Sequence, residues 1–345
     1  MIGITHRLSD SLKNFISENQ PDKIFVLCDA NVIQYCLPAI SVEWPMEIIE
    51  IAEGERCKNL TTCENIWEAL ANGGATRNSL LVCLGGGSTT DLGGFVASTY
   101  QRGIKVCYIP TTLLCMVDAA IGGKTGINLG GLKNYIGTFR MPDAVLVYPE
   151  FLRTLPDAEW QNGKAEMIKH ALLSGKGWTD ILQNGFPDQS DVREWSQWIE
   201  ANMKFKTSII SEDFAENNIR AMLNFGHTAA HALEFLYMNQ GRQLSHGQAV
   251  AAGILIETIA ASMMEVCPVG LLDNIRSCIH DNFDPVAYNP SDVPELNMVT
   301  RKDKKSKSGN IVCSVISEAG KPSPPLSVPE TVMYKAWLQY LHETA

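Results

Sequence analysis

The sequence predicts an α/β first domain built on a parallel sheet, followed by a mainly α-helical second domain. Three observations carry that expectation. Short, unalternating apolar runs alternate with helical stretches through the first half. Glycine-rich segments follow two of those runs, and beyond about residue 155 β-rich runs nearly vanish. At 345 residues the chain is also long for one compact core, so two domains are expected, 1–155 and 156–345.

The elements justify this in order. Residues 23–29 read as a strand ending on Asp29. A second strand, 79–84, runs straight into Gly85, Gly86 and Gly87; 106–110 and 144–148 are a third and fourth. Continuous apolar strands separated by helices indicate a parallel sheet covered on both faces. Ligands of such sheets gather at the carboxyl ends of the strands, where Asp29, the 85–91 segment, Thr111 and Thr112 fall. In the second half, 162–173, 192–210, 225–238, 246–265 and 329–342 read as helices, with 310–316 as an isolated strand.

Composition narrows the class. Hydrophobic residues are 45% and charged residues 19%, as in an ordinary globular protein. A net charge of -10 argues against nucleic acid or an anionic membrane as main partner. No apolar run approaches a membrane span, and residues 1–10 lack the apolar stretch of a secretory signal. Ten scattered Cys without a C-x-x-C pair read as reduced thiols. A cytoplasmic protein is expected.

Three segments could carry chemistry. The first is 85–94, between a strand and a helix; its glycines would let backbone N–H groups approach a phosphate at a helix N-terminus, or simply make a tight turn. Asp29 could bind a ribose hydroxyl or cap a helix. The second is the glycine-rich loop 119–128 carrying Lys124, followed by Lys133 and Asn134. An ammonium there suits a phosphate or carboxylate, although a lone Lys is more often solvent-exposed. The third is 223–234, where His227 and His231 stand four apart on one helical face and could share a metal ion. His246 could add a nitrogen and Glu166 an oxygen, a mixed set suited to zinc as a Lewis acid. The alternative is that these are satisfied core or surface histidines among the seven in the chain. Lys169, Lys206, Glu216 and Arg220 would form a cationic face for an anionic substrate beside such a metal, or else a solvated helix face.

These segments, in order, resemble the 3-dehydroquinate synthase family. The matching blocks are GGGSTTDLGGFVASTYQRG, IPTTLLCMVDAAIGGKTGIN, LKNYIG, FLRTLP, GKAEMIKHALL, LNFGHTAAHALE, LSHGQAVAAG and DKK. The resemblance implies a nucleotide-binding first domain, a metal-binding helical second domain, bound NAD and a divalent metal, zinc or cobalt. It implies Glu166, His227 and His246 as metal ligands, with His231 moved to the substrate side. It implies a NAD site from Asp29, Asn31, Glu55, Lys58, Gly86, Gly87, Asp91, Thr111, Thr112, Lys133 and Thr154. The substrate and its chemistry would fall to Arg102, Asp118, Lys124, Asn134, Asn162, Lys169, Lys206, Glu216, Arg220, Asn224, His231 and one or both of Lys304 and Lys305, with Lys133 beside them.

The implied reaction is a lyase and cyclase step of aromatic amino acid biosynthesis in the shikimate pathway. It turns 3-deoxy-D-arabino-heptulosonate 7-phosphate into 3-dehydroquinate and phosphate through transient oxidation, elimination, reduction, ring opening and aldol closure. A homodimer is implied too. Departures from the common pattern include Gln248 after His246-Gly247, where many members have Glu; an amide there cannot take up charge. Rival readings are another sugar-phosphate cyclase, an NAD- and metal-dependent polyol dehydrogenase, and a non-catalytic protein that only binds NAD or metal. The dense Lys/Arg set argues against the last two, because buried charge is costly to retain without use.

Overall fold

The computed structural model describes residues 1–130, 132–301 and 311–344. It divides into two compact units, 1–160 with 187–208, and 161–186 with 209–345.

In the first unit the strands are β1 (Ile2–Ile4), β2 (Ile24–Asp29), β3 (Glu47–Ile51), β4 (Leu80–Gly85), β5 (Lys105–Pro110), β6 (Lys124–Leu129), β7 (Leu132–Phe139) and β8 (Ala144–Val147). Six of them form one sheet in the order β1-β8-β5-β4-β2-β3, and every pairing in it is parallel. The helices α1 (Leu8–Asn19), α2 (Ala30–Tyr35), α3 (Leu60–Asn72) and α4 (Gly87–Thr99) connect the early strands. Central strands β4 and β5 are buried almost throughout, as a sheet covered on both faces requires. Helix α4 lies so close to the sheet that only glycine fits at two contacts. A Cβ at Gly93 would stand 2.2 Å from Cys83 Sγ, and one at Gly94 2.0 Å from Tyr108 Oη.

All four sequence-predicted strands are present as β2, β4, β5 and β8. The edge strands β1 and β3 were not anticipated, being three and five residues long. The 119–128 segment, read as a loop, is a correction. Its second half is strand β6, which pairs antiparallel with β7 to make a separate hairpin. The cross-strand contact explains why glycine is there: Gly137 approaches the Thr125 carbonyl so closely that a Cβ would stand 2.0 Å from it.

Two long helices, α5 (Asp157–Ser174) and α7 (Val192–Glu212), begin in the first unit and end in the second. Where they belong to the first unit, Trp160 and Trp195 pack at 4.7 Å between ring centroids. The second unit adds α6 (Trp178–Asn184), α8 (His227–Asn239), α9 (His246–Met263), α10 (Val269–Asn282), α11 (Val293–Arg301) and α12 (Glu330–Thr344). Helix α9 is buried on nearly every side from Gly247 to Ala261, so α8, α10 and α12 pack around it rather than along a single stripe. Each fully buried Leu or Ile there contributes about 1.5–3 kcal/mol. The predicted strand at 310–316 is instead two short pieces, β9 (Ile311–Cys313) and β10 (Ile316–Glu318), paired with β12 (Leu326–Val328) and β11 (Lys321–Pro322) respectively. Ser314 and Val315 separate the pieces, and the Ser314 hydroxyl donates to the Ala221 carbonyl at 2.8 Å.

Candidate functional site

In the first unit the strand order reverses at β2, which has β3 on one side and β4 on the other. The carboxyl ends of β2 and β4 therefore form a topological switch point, the place where open α/β sheets bind ligands. Asp29 ends β2, and Gly86 caps α4 without a side-chain hydrogen bond. The first N–H groups of α4 thus point out from the glycine turn. A Cβ on Gly86 would meet Thr112 Cγ2 at 3.2 Å, so the Gly86 backbone runs close against the end of β5. Thr111 N donates to Gly85 O at 3.0 Å, and Thr112 Oγ1 accepts from Cys115 N at 3.2 Å. Asp29 also acts as a helix cap, accepting from Val32 N at 3.0 Å.

Beside this turn lies a polar knot. The Lys58 ammonium, 2% exposed, donates to Asp91 Oδ2 at 2.8 Å and also touches Asn134 Oδ1. Burial disfavours its charge, but Asp91 and Glu55 outweigh that and hold its pKa above the usual lysine value. Glu55 in turn receives Asn128 Nδ2 at 2.9 Å and Ser88 Oγ at 3.2 Å. Asn31 donates to Glu53 at 2.7 Å, just outside the knot. Lys206 is buried, and its Nζ meets Asp118 Oδ1 at 2.7 Å and donates to the Asp118 carbonyl at 2.6 Å. Lys124, Lys133, Arg102 and Thr154 lie exposed. Arg102 holds a left-handed backbone, φ 69°, an uncommon conformation that concentrates at functional sites.

The second unit holds the densest cluster of chemistry. Glu166 on α5, His227 at the start of α8 and His246 at the start of α9 offer ligand atoms that all lie within 4.8 Å of one another. Both Nε2 atoms stand 3.4 Å from Glu166 Oε1. Glu166 is 1% exposed, and neither carboxylate oxygen has a hydrogen-bond partner, although the Lys169 ammonium is ion-paired with Oε2. Burial raises the pKa of Glu166, but Lys169 and His227 prevail and hold it well below the usual carboxylate range. Burial and Lys169 push His227 down to about 4, so its ring is neutral near pH 7. Burial lowers the pKa of His246 as well, but the Glu166 and Glu234 carboxylates beside its ring push it up to about 10.

Local structure aims each ring. His227 Nδ1 lies 3.2 Å from the Phe225 carbonyl, which turns Nε2 toward Glu166. His246 Nδ1 faces Glu234 Oε1 at 3.3 Å. Asn162 Oδ1 accepts from Gly247 N at 2.7 Å, one residue past His246. A Cβ at Gly247 would stand 2.6 Å from the Asn162 Cα, so α9 meets α5 backbone to backbone one turn before Glu166. The pair read from spacing alone, His227 with His231, is replaced. His231 is exposed and stands edge-on at 5.8 Å from His227, outside the three-residue cluster.

The nearby polar residues are held in one loop. Asp213 accepts from the backbone N–H groups of Asn217 at 2.9 Å, Asn218 at 2.7 Å and Arg220 at 3.0 Å. Within that loop Glu216 takes a left-handed φ of 60° and accepts from Asn224 Nδ2 at 2.5 Å. The Arg220 guanidinium is buried and donates to Phe214 O. Lys304 and Lys305 lie outside the described residues. The sequence reading missed Asp213 and Glu234 as supports. Glu234 stands seven residues, about two turns, after His227, a spacing that placed it on the right face without saying what it met. Gln248 bonds its own helix start, its carbonyl accepting from Ser245 Oγ at 3.1 Å; Glu234 is the carboxylate at His246 Nδ1.

Comparison with known proteins places the chain in a family. Residues 48–162 match the 3-dehydroquinate synthase N-terminal family and residues 163–306 its C-terminal counterpart. The 3-dehydroquinate synthase of Parabacteroides distasonis is 37% identical over 91% of this chain and 90% of its own. That of Pyrococcus furiosus is 38% identical over 93% of this chain and 94% of its own. A solved 2-epi-5-epi-valiolone synthase from Streptomyces hygroscopicus, with NAD+ and Zn2+ bound, superposes with a TM-score of 0.88 at 22% identity, covering 99% of this chain and 97% of that one, a likeness of fold. With both halves matched in order and full-length relatives this similar, the chain belongs to the 3-dehydroquinate synthase family.

Proposed function

We propose that this protein converts 3-deoxy-D-arabino-heptulosonate 7-phosphate to 3-dehydroquinate and inorganic phosphate, with NAD and a divalent metal, zinc or cobalt, as cofactors. The observation that carries the reading is the convergence of Glu166, His227 and His246 in a chain of this family. The donor set fits a divalent cation. Two imidazole nitrogens face Oε1 of a buried carboxylate whose Oε2 is ion-paired with Lys169, and each ring is oriented from its other nitrogen. NAD would be held by Asp29, Asn31, Glu55, Lys58, Gly86, Gly87, Asp91, Thr111, Thr112, Lys133 and Thr154, most of them at or beside the switch point of the sheet. When bound, the metal supplies Lewis-acid polarisation of substrate hydroxyls, and NAD supplies a hydride acceptor that is restored within the turnover.

The chain's own residues do the rest. Arg102, Lys124, Lys206 and Arg220 neutralise the substrate's phosphate and carboxylate. Lys206 does so from a fixed position, because Asp118 holds its ammonium. Lys169 keeps Glu166 ionised. Asn162 and Asn134 orient hydroxyls, Glu216 holds the Asn224 amide in place, and His231 donates to the phosphate. In the elimination, the C–H proton passes to the departing phosphate itself, so the cations around that phosphate stabilise both acceptor and leaving group. The same reading makes the protein a cytoplasmic homodimer acting on a small sugar phosphate, with no nucleic acid partner. No helix among the described residues is long and apolar enough to cross a membrane.

The test is direct. Purified protein supplied with zinc or cobalt, NAD and the heptulosonate phosphate releases phosphate and forms 3-dehydroquinate, with no net NADH by absorbance. Lasting NADH accumulation without phosphate release would assign a dehydrogenase instead. Phosphate release only from a different sugar phosphate would assign another cyclase.

A further inference from the structure

Glu257 lies on α9 and is fully buried, 0% exposed. Helix α8 begins at His227 with Gly226 as its cap and no side-chain cap of its own. Its first backbone N–H groups need partners, and Glu257 provides them from the neighbouring helix. Oε2 accepts from Gly226 N and Oε1 from Ala229 N, both at 3.0 Å. His227 lies between those two donors. A carboxylate at a helix N-terminus is also favoured by the helix dipole.

The crossing is tight around this cap. Gly226 takes a left-handed φ of 80°, and a Cβ there would stand 2.6 Å from Ile254 Cγ1 and 2.8 Å from Ile254 N. One turn before Glu257, a Cβ on Gly253 would stand 2.0 Å from the Gly226 carbonyl oxygen. Helix α9 thus opens on His246 and, about three turns later on nearly the same face, fixes the backbone from which His227 projects.

We propose that Glu257 is a positioning residue of the metal centre: it holds the start of α8 so that His227 meets Glu166 and His246. This rests on the reading of His227 as a ligand, and the experiment separates the two. Metal-stripped full-length protein is titrated with Co2+ in competition with a chelator. Visible absorption reports the ligand field, and far-UV circular dichroism reports the fold. Parent protein, Glu257→Gln, Glu257→Ala and His227→Ala are compared. Glu257→Gln is close in shape but presents an amide N–H to one of the two backbone donors. It is expected to keep its helical signal, to lose about 10- to 100-fold in cobalt affinity, and to shift the visible band. His227→Ala is expected to lose the band. Parent-like affinity and band in a folded Glu257→Gln would overturn the proposal. So would failure of Glu257→Gln to fold, which would make the residue a global support; folding of Glu257→Ala with parent-like cobalt binding would do the same. A His227→Ala protein that binds cobalt like the parent would instead remove the ligand reading beneath it.

Discussion

Of the three candidate ligands, only His246 carries a proton that a metal must displace. His227, pushed down to about 4, is neutral, and Glu166 is ionised. His246 is pushed up to about 10 by the two carboxylates against its ring. Its raised pKa stabilises the metal-free fold fully below the ordinary histidine value near 6.5, and that contribution fades as pH rises through about 10. Between those limits metal and proton compete for Nε2. Zinc binding to stripped protein near pH 8 should therefore release about one proton and tighten with rising pH. Calorimetry in buffers of different ionisation enthalpy measures this; a buffer-independent heat would contradict it. The residue types at this centre were legible from the sequence. The family resemblance also named Glu166, His227 and His246; helical spacing alone pointed to His227 with His231, because it describes one helix, and the carboxylate comes from another.

At the scale of elements, the site depends on helices that touch backbone to backbone. Helix α9 meets α5 at Gly247 and α8 at Gly253, and these two contacts set where His246 and His227 begin. Gly253→Ala places a methyl into the Gly226 carbonyl, where no flexible side chain can yield. It should destabilise the protein by about 1–3 kcal/mol, read as a lower denaturant midpoint at unchanged m-value. A variant as stable as the parent would show that the crossing is looser than drawn. The long helices α5, α7, α8, α9 and α12 were legible in sequence because their apolar residues recur over many turns. Helices α6, α10 and α11 and strands β1 and β3 were not. They are shorter or mostly polar, and their stability comes from neighbours. The 119–128 segment misled for a related reason: its glycines signal a loop, yet Gly126 lies within β6 and pairs with Gly137 on β7, where the strands run too close for a side chain.

At the scale of the whole molecule, the hairpin β6–β7 exposes apolar side chains that a lone chain would leave wet. Leu132 and Tyr135 are each 50% exposed, and Phe139 is 49%. Exposed apolar residues grouped on one element mark an association surface. If the protein is a homodimer, Tyr135→Asp with Phe139→Asp should shift it to monomer in analytical ultracentrifugation while leaving the helical signal intact. A double variant that sediments like the parent would place the dimer contact elsewhere. Sequence alone determined the parallel sheet, the helical second half and the family, and it supplied the candidates for the site, because periodicity and motif order are local properties of the chain. Tertiary structure alone decided which groups meet. The pairing of Glu234 with His246, the capping of α8 by Glu257 and the seating of Asn162 on Gly247 join residues 12, 31 and 85 positions apart. Contacts of that kind follow from how helices cross, and no pattern along the chain encodes them.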